Sequence, residues 1–144
     1  MADIRISTAL DATPDLARAV TALVRQLSTT AAPLTVETLA TLIESESTTL
    51  LLASSDEHIV GMLTLVTYAI PTGIRARIED VVVDESARGK GIAFELTRAA
   101  VDIARRAGAR TVDLTSRPER EAANRLYQRA GFTARDSVTY RLTP

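Results

Sequence analysis

Ile4 and Ile6 alternate with polar neighbours between Asp3 and Thr8, the period of a short strand with one buried face. The period then lengthens. Leu16, Val20, Leu23, Val24 and Leu27 recur at helical spacing behind Thr13, Pro14 and Asp15, which supply an N-cap, a proline at the first helical position and an acid near the positive end of the helix dipole. A second helix starts after Thr35 with Val36, Leu39, Leu42 and Ile43 on one face, and Thr29 to Pro33 joins the two. Thr49 to Ala53 and His58 to Tyr68 are apolar runs rich in β-branched residues. Ser54-Ser55-Asp56-Glu57 separates them, the pattern of an antiparallel hairpin. Pro71-Thr72-Gly73 turns the chain into a third strand, Ile74 to Val83.

After Asp84 the pattern changes to a loop, Asp84-Glu85-Ser86-Ala87-Arg88-Gly89-Lys90-Gly91, which opens into Ile92, Leu96, Ala99, Ala100 and Ile103 at helical period. Gly108 is placed to end that helix. Thr111 to Leu114 reads as a strand parallel to the one ending at Val83, with the helix as the crossover between them. Glu119 to Ala130 is a further helix stopped by Gly131, and Thr133 to Leu142 is expected to close the sheet as a last strand. With no internal repeat and no linker, residues 1–144 are expected to form one domain.

Composition narrows the chemistry. The 46% hydrophobic and 24% charged residues are ordinary for a globular chain and exclude a disordered or collagenous one. A formal charge of -1 leaves no global basic field for nucleic acid or an anionic membrane, so neither is expected as a partner. Cysteine is absent, which removes disulfides, thiolate metal sites and cysteine nucleophiles. His58 is the only histidine, sits beside a hairpin turn and is expected to be exposed, so no metal site is expected. Met1 to Ile6 carries Asp3 and Arg5 and no apolar run, which is unlike a secretory leader and makes the cytoplasm the expected location. Sixteen arginines against one lysine, with abundant Ala and Thr, suggest a GC-rich bacterial genome.

A strand, a glycine-containing loop and a helix together form the arrangement in which exposed backbone N–H groups and a positive helix end meet a phosphate. A Walker loop is excluded because Lys90 lies between two glycines and Ile92 follows. The dinucleotide fingerprint begins with Gly89-Lys90-Gly91, but Phe94 stands where its third glycine must allow close helix packing. Arg105-Arg106 reads as a solvated helix C-terminus favoured by the dipole.

The third pattern, Arg/Gln-x-x-Gly-x-Gly/Ala, is met by Arg88-Gly89-Lys90-Gly91-Ile92-Ala93, and here the chain resembles the GNAT superfamily of acyl-CoA N-acyltransferases. Ile78-Glu79-Asp80-Val81-Val82-Val83-Asp84 is similar to the family's fourth strand. Ala123-Asn124-Arg125-Leu126-Tyr127-Gln128-Arg129-Ala130-Gly131-Phe132 is similar to its late helix. The resemblance implies an α+β GNAT fold: a mixed, mostly antiparallel twisted sheet, helices on both faces, and a parallel splayed pair of central strands. It implies acetyl-CoA as cosubstrate, with its pyrophosphate held by the amides from Arg88 to Ala93, thus Arg88, Gly89, Lys90, Gly91, Ile92 and Ala93. Backbone groups of the Val81-Val82-Val83 run, those of Val81 and Val83 in particular, would bond the pantetheine arm.

For the reaction, the resemblance makes Tyr127 the general-acid candidate. Glu79 is the general-base candidate through a water, with Asp113 as the alternative base. Many relatives carry Asn seven residues before the tyrosine. Here that position is Arg120, so Arg117, Arg120 and Lys90 are candidates for the phosphates of coenzyme A, and Asn124 is only a weak substitute for the missing Asn. The residues also carry plainer readings: Glu79 as a partner of Arg75 or Arg77, Tyr127 as a packed aromatic, Asp113 as a structural acid.

The expected function is acetyl transfer from acetyl-CoA to a primary amine, and the alternative is an acyl-CoA-binding regulatory or interaction domain without turnover; retention of Glu79 and Tyr127 favours the enzyme. Acidic Glu44, Glu46 and Glu79 would suit a cationic acceptor, and a homodimer is compatible with the reading.

Overall fold

A computed structural model describes residues 3–144; Met1 and Ala2, the start of the stretch read against a secretory leader, lie outside the described residues. The elements follow in the order β1 Ile4–Thr8, α1 Pro14–Leu27, α2 Val36–Glu44, β2 Thr48–Ser55, β3 His58–Ile70 and β4 Gly73–Val83. A 3-10 turn Glu85–Ala87, α3 Ile92–Arg106, β5 Val112–Asp113 and α4 Glu121–Arg129 complete them. Strands β1 to β4 are antiparallel neighbours and β5 joins β4 in parallel, giving the order β1-β2-β3-β4-β5.

Local chemistry sets the element ends. Thr13 and Thr35 accept hydrogen bonds from the N–H groups of Leu16 and Thr38, capping α1 and α2. Asp56 and Glu57 turn β2 into β3 with φ of 48° and 68°, a left-handed pair that matches the twist of a tight hairpin without glycine. His58 is exposed at the first position of β3.

Alternation along each strand divides the core. Leu51, Ala53, Leu63, Leu65, Ala76 and Ile78 pack under α3, while Leu50, Leu52, Met62 and Val82 pack under α1 and α2. Helices therefore cover both faces of a mixed sheet, as the resemblance implies. Gly61 lets α3 seat closely, because a Cβ there would stand 3.3 Å from the Val82 carbonyl oxygen and 3.4 Å from Ile92 and Leu96.

One expected element is missing. Thr133 to Leu142 forms no strand: residues 133–144 are exposed, without regular structure, and none makes a backbone hydrogen bond with another described residue. The alternation that suggests a strand fixes which side chains share a face but not which edge they join. In consequence β5 takes the edge of the sheet rather than an interior place.

Candidate active site

Strands β4 and β5 pair only through Ala76 and Arg77 with Val112 and Asp113, and beyond that point they part. Further along β4 the register against β3 slips, Met62 facing Val82 but Thr64 facing Glu79, so an extra residue bulges at Asp80, whose φ is 50°. The bulge also reverses the backbone. The Ala76 N–H donates to the Thr111 carbonyl beside β5, whereas the Asp84 N–H donates to the Val60 carbonyl beside β3. Alternation from Asp84 backward turns the N–H groups of Val83 and Val81 away from β3, toward the gap between β4 and β5.

The gap leads to the loop. Asp84 caps the short 3-10 turn by accepting from the N–H and hydroxyl of Ser86, and those bonds, with a third from Gln26, hold its carboxyl below the usual range. Gln26 at the end of α1 both donates to Asp84 at 2.7 Å and accepts from the Glu85 N–H at 3.1 Å. The Arg88 guanidinium donates to the Val83 carbonyl at 3.1 Å and so docks on the strand end. Arg88's own N–H reaches the Glu85 carbonyl at 3.4 Å, which shifts the open amides one residue along from the expected Arg88 to Ala93 run.

Among the described residues no backbone or side-chain acceptor meets any N–H from Gly89 to Phe94. Gly89 and Gly91 hold φ of 80° and 78°, and a Cβ on either would meet nothing within 4 Å. Gly91 caps α3 without a side-chain bond, leaving the positive end of a fifteen-residue helix open. Unmet amides, a helix N-terminus and space beside two glycines fit an anionic phosphate group. The Ile92 side chain is buried in the core, so only its amide is available, while Lys90 is exposed above the loop.

The carboxylates differ in their surroundings. Glu79 is bound to Arg77 at 2.7 Å, and Arg77 also donates to Thr115 at 2.6 Å, so one guanidinium bridges the two arms of the gap. This is the ion pair that the plainer reading of Glu79 expects. Asp113 is exposed on β5. Asp80, missed in the sequence, has its carboxyl raised above the ordinary value by partial burial and by the Glu79 charge. Its only sequence signal is the adjacent acidic pair.

That shift has a measurable sign. The native state holds the Asp80 proton more tightly than the unfolded chain, so stability falls as pH rises from the ordinary carboxylate range through the raised value. Asp80→Asn, which tolerates the left-handed backbone, is expected to raise Tm at pH 7 and to change it little near pH ~3, where the carboxyl is largely protonated in both states. Thermal melts at the two pH values check it; an equal effect at both would assign the change to packing.

Tyr127 lies on α4 with its ring edge-on to Phe132, centroids 6.0 Å apart. Burial pushes its hydroxyl pKa up, and the Arg120 charge draws it partly back. The hydroxyl makes no hydrogen bond among the described residues. Asn124 donates to the carbonyl of Arg117 at 3.0 Å and reaches that of Pro118 at 3.5 Å, so its amide holds the turn before α4. Arg117 and Arg120 stand exposed on that turn without an ion-pair partner among the described residues. Phe94, which breaks the dinucleotide fingerprint, packs its ring 5.6 Å from the Arg129 guanidinium and ties α4 to α3.

A strand pair that opens beside a helix-capping glycine loop is matched by the sequence model of the acetyltransferase (GNAT) family over residues 18–132. The chain belongs to the GNAT acetyltransferase family. Against N-alpha-acetyltransferase 30 of Schizosaccharomyces pombe this GNAT chain is 36% identical over 61 residues, which are 42% of its own length and 41% of the relative's. It thus spans less than half of that curated relative. A putative acetyltransferase from Agrobacterium tumefaciens shares the fold at a TM-score of 0.84 and 22% identity, covering 97% of this chain and 99% of that one. The aminoglycoside N-acetyltransferase AAC(6')-Iy in complex with CoA shares it at 0.80 and 17%, covering 99% and 96%. The five-stranded mixed sheet with its parallel β4-β5 pair is the GNAT architecture. Among the described residues of this chain no group of three or more His, Asp or Glu side chains is placed to hold a metal ion, and no helix is long and apolar enough to cross a membrane.

Proposed function

We propose that this GNAT chain transfers the acetyl group of acetyl-CoA to a primary amine by direct attack of the amine on the thioester. The observation that carries the reading is an edge of β4 left unpaired beyond Arg77 that runs along the chain into the unmet amides of Gly89 to Phe94. Those amides and Lys90 hold the pyrophosphate, with Arg117 and Arg120 as further phosphate contacts and Asn124 positioning the turn that carries them. Val81 and Val83 offer N–H groups to the pantetheine arm as a neighbouring strand would, and Val82, buried on the opposite face, keeps the edge in place. The cosubstrate supplies an activated acyl carbon and a thiol leaving group.

The protein moves two protons. Glu79, through a water, takes one from the incoming ammonium so that the amine attacks neutral, and the Tyr127 hydroxyl gives one to the departing sulfur. The N–C bond forms as the C–S bond breaks, and the nitrogen gives its second proton to solvent as it becomes the amide. Tyr127 recovers its proton from solvent and Glu79 releases the one it took, for a net loss of one proton to water. The hydroxyl keeps its proton at neutral pH, as a donor must, but burial makes it a weaker acid than a free tyrosine, so the assignment rests on its match to the family's tyrosine and not on its pKa. The ion pair with Arg77 favours a second assignment, in which Asp80, lacking a cationic partner among the described residues, is the base.

Thiol release from acetyl-CoA over a panel of amines, with products read by mass spectrometry, tests the activity; no acetylated product from any amine would return the chain to the acyl-CoA-binding alternative, which the comparisons do not favour. Charge variants then place the base. Glu79→Gln is expected to lower the transfer rate most near neutral pH, with recovery as pH approaches the amine's own pKa, about 10 for a lysine-like acceptor. If Asp80→Asn or Asp113→Asn shows that recovery and Glu79→Gln does not, the base is the other carboxylate. The cytoplasm and a bacterial source remain part of the same proposal, on the composition alone.

A further inference from the structure

Two arginines converge on the turn between β3 and β4. Arg75 donates to the Thr72 hydroxyl at 2.9 Å and to the Thr111 hydroxyl at 3.2 Å, while Arg110 donates to the Thr72 carbonyl at 2.7 Å. Among the described residues neither guanidinium has a carboxylate within ion-pair distance, so two like charges meet at one residue without an anion to offset them. Two positions along the strand the situation is the reverse, since Arg77 is matched by Glu79. Arg75 is half-buried and its fork is oriented by two neutral hydroxyls with N–H groups to spare, a state suited to a phosphate or carboxylate held on parallel bonds.

The pair adjoins the face that carries Glu79. Arg75, Arg77 and Glu79 alternate along β4, and Ala76 and Ile78 between them are buried under α3, so the three charged side chains share the opposite face. There Tyr68 stands directly across from Arg75 and Val66 across from Arg77, an apolar strip between the free guanidinium and the carboxylate. Asp113, in register with Arg77, comes within ion-pair distance of no arginine among the described residues. From this arrangement we infer that the acceptor carries, besides its amine, an anionic group, phosphate or carboxylate, which Arg75 and Arg110 bind while the amine stands at the Glu79 end. The inference rests on the proposed acetyl transfer. About 13 Å of strand separates Arg75 from Glu79, and the Arg75 head is drawn further off toward Thr72. The two groups of the acceptor are therefore several bonds apart, with an apolar stretch lying on Val66 and Tyr68; an amine and an acid on one carbon do not span the site.

Aminohexyl phosphate, aminohexanoate and aminohexanol present one chain with two kinds of anionic end and a neutral one. The anionic amines are expected to be acetylated with kcat/KM about tenfold to a hundredfold above the alcohol, mainly through KM, and the margin should shrink as salt is raised. Whichever of the two is preferred names the group. Arg75→Gln is expected to bring the three probes level, and Arg75→Lys, which keeps the charge but not the fork, to keep part of the margin; an arginine that only supports the turn would lower all three alike. Hexyl phosphate, which has no amine, gives a readout on the unaltered protein. It should compete with the acceptor, whereas competition with acetyl-CoA instead would place the anion at the Gly89 to Phe94 amides and overturn the inference. Equal kcat/KM for the three amines, or neutral amines accepted and both anionic ones refused, would also overturn it. If no amine of any charge is acetylated, the transfer reading itself falls and takes this one with it.

Discussion

Gly91→Val is expected to abolish acetyl-CoA binding while leaving the chain folded. Gly91 holds φ at 78° and caps α3, and a Cβ there meets no atom within 4 Å. The folded protein would therefore absorb only backbone strain, on the order of 1–3 kcal/mol for a β-branched residue in the left-handed region, against a total stability of roughly 5–15 kcal/mol for a domain of this kind. The ligand would meet far more: a branched side chain in the space bordered by the Gly89 to Phe94 amides, and a helix start displaced from its cap. Calorimetry with acetyl-CoA should register no heat of binding for a variant whose circular dichroism is unchanged. A folded variant that binds as well as the parent would remove the phosphate role of the loop.

Tyr127→Phe is expected to lower the rate of acetyl transfer by about a hundredfold or more, with little change in acetyl-CoA affinity, because only the proton delivered to the leaving sulfur is lost. The ring remains to pack edge-on against Phe132, and among the described residues the hydroxyl has no hydrogen-bond partner to abandon, so Tm should stay where it is. Steady-state kinetics beside a binding isotherm separate the two readings. Normal turnover would leave Tyr127 as a packing residue only.

Elements whose signals are local were legible in the sequence. Thr13-Pro14 and Thr35 announce their helices, and Arg88 to Ala93 announces a loop that begins a helix, since caps and glycines act within a few residues. Contacts between distant segments were not. The bulge at Asp80 depends on how β4 meets β3, and nothing in Glu79-Asp80-Val81 says where the extra residue falls. Asn124 could be marked as out of place, but its attachment to the Arg117 carbonyl is a property of the folded turn. Thr133 to Leu142 shows the opposite failure: a strand period is plain in the residues, yet the segment joins no strand, because the period fixes which side chains share a face and not which edge they pair with.

Gln26 links the two halves of the molecule from a distance of 58 positions in the chain, its carboxamide gripping both the Asp84 side chain and the Glu85 N–H. Together with the Arg88 guanidinium on the Val83 carbonyl, this anchors the Asp84 to Arg88 part of the connection, from which the glycine loop departs, before anything binds there. Ordering a flexible segment of backbone costs roughly 1–2 kcal/mol per residue at the moment it occurs. Here that loss falls on folding, when α1 is laid across the sheet, and not on the encounter with a ligand. The affinity of the loop for a phosphate group is therefore set partly by the far end of a helix that never touches it.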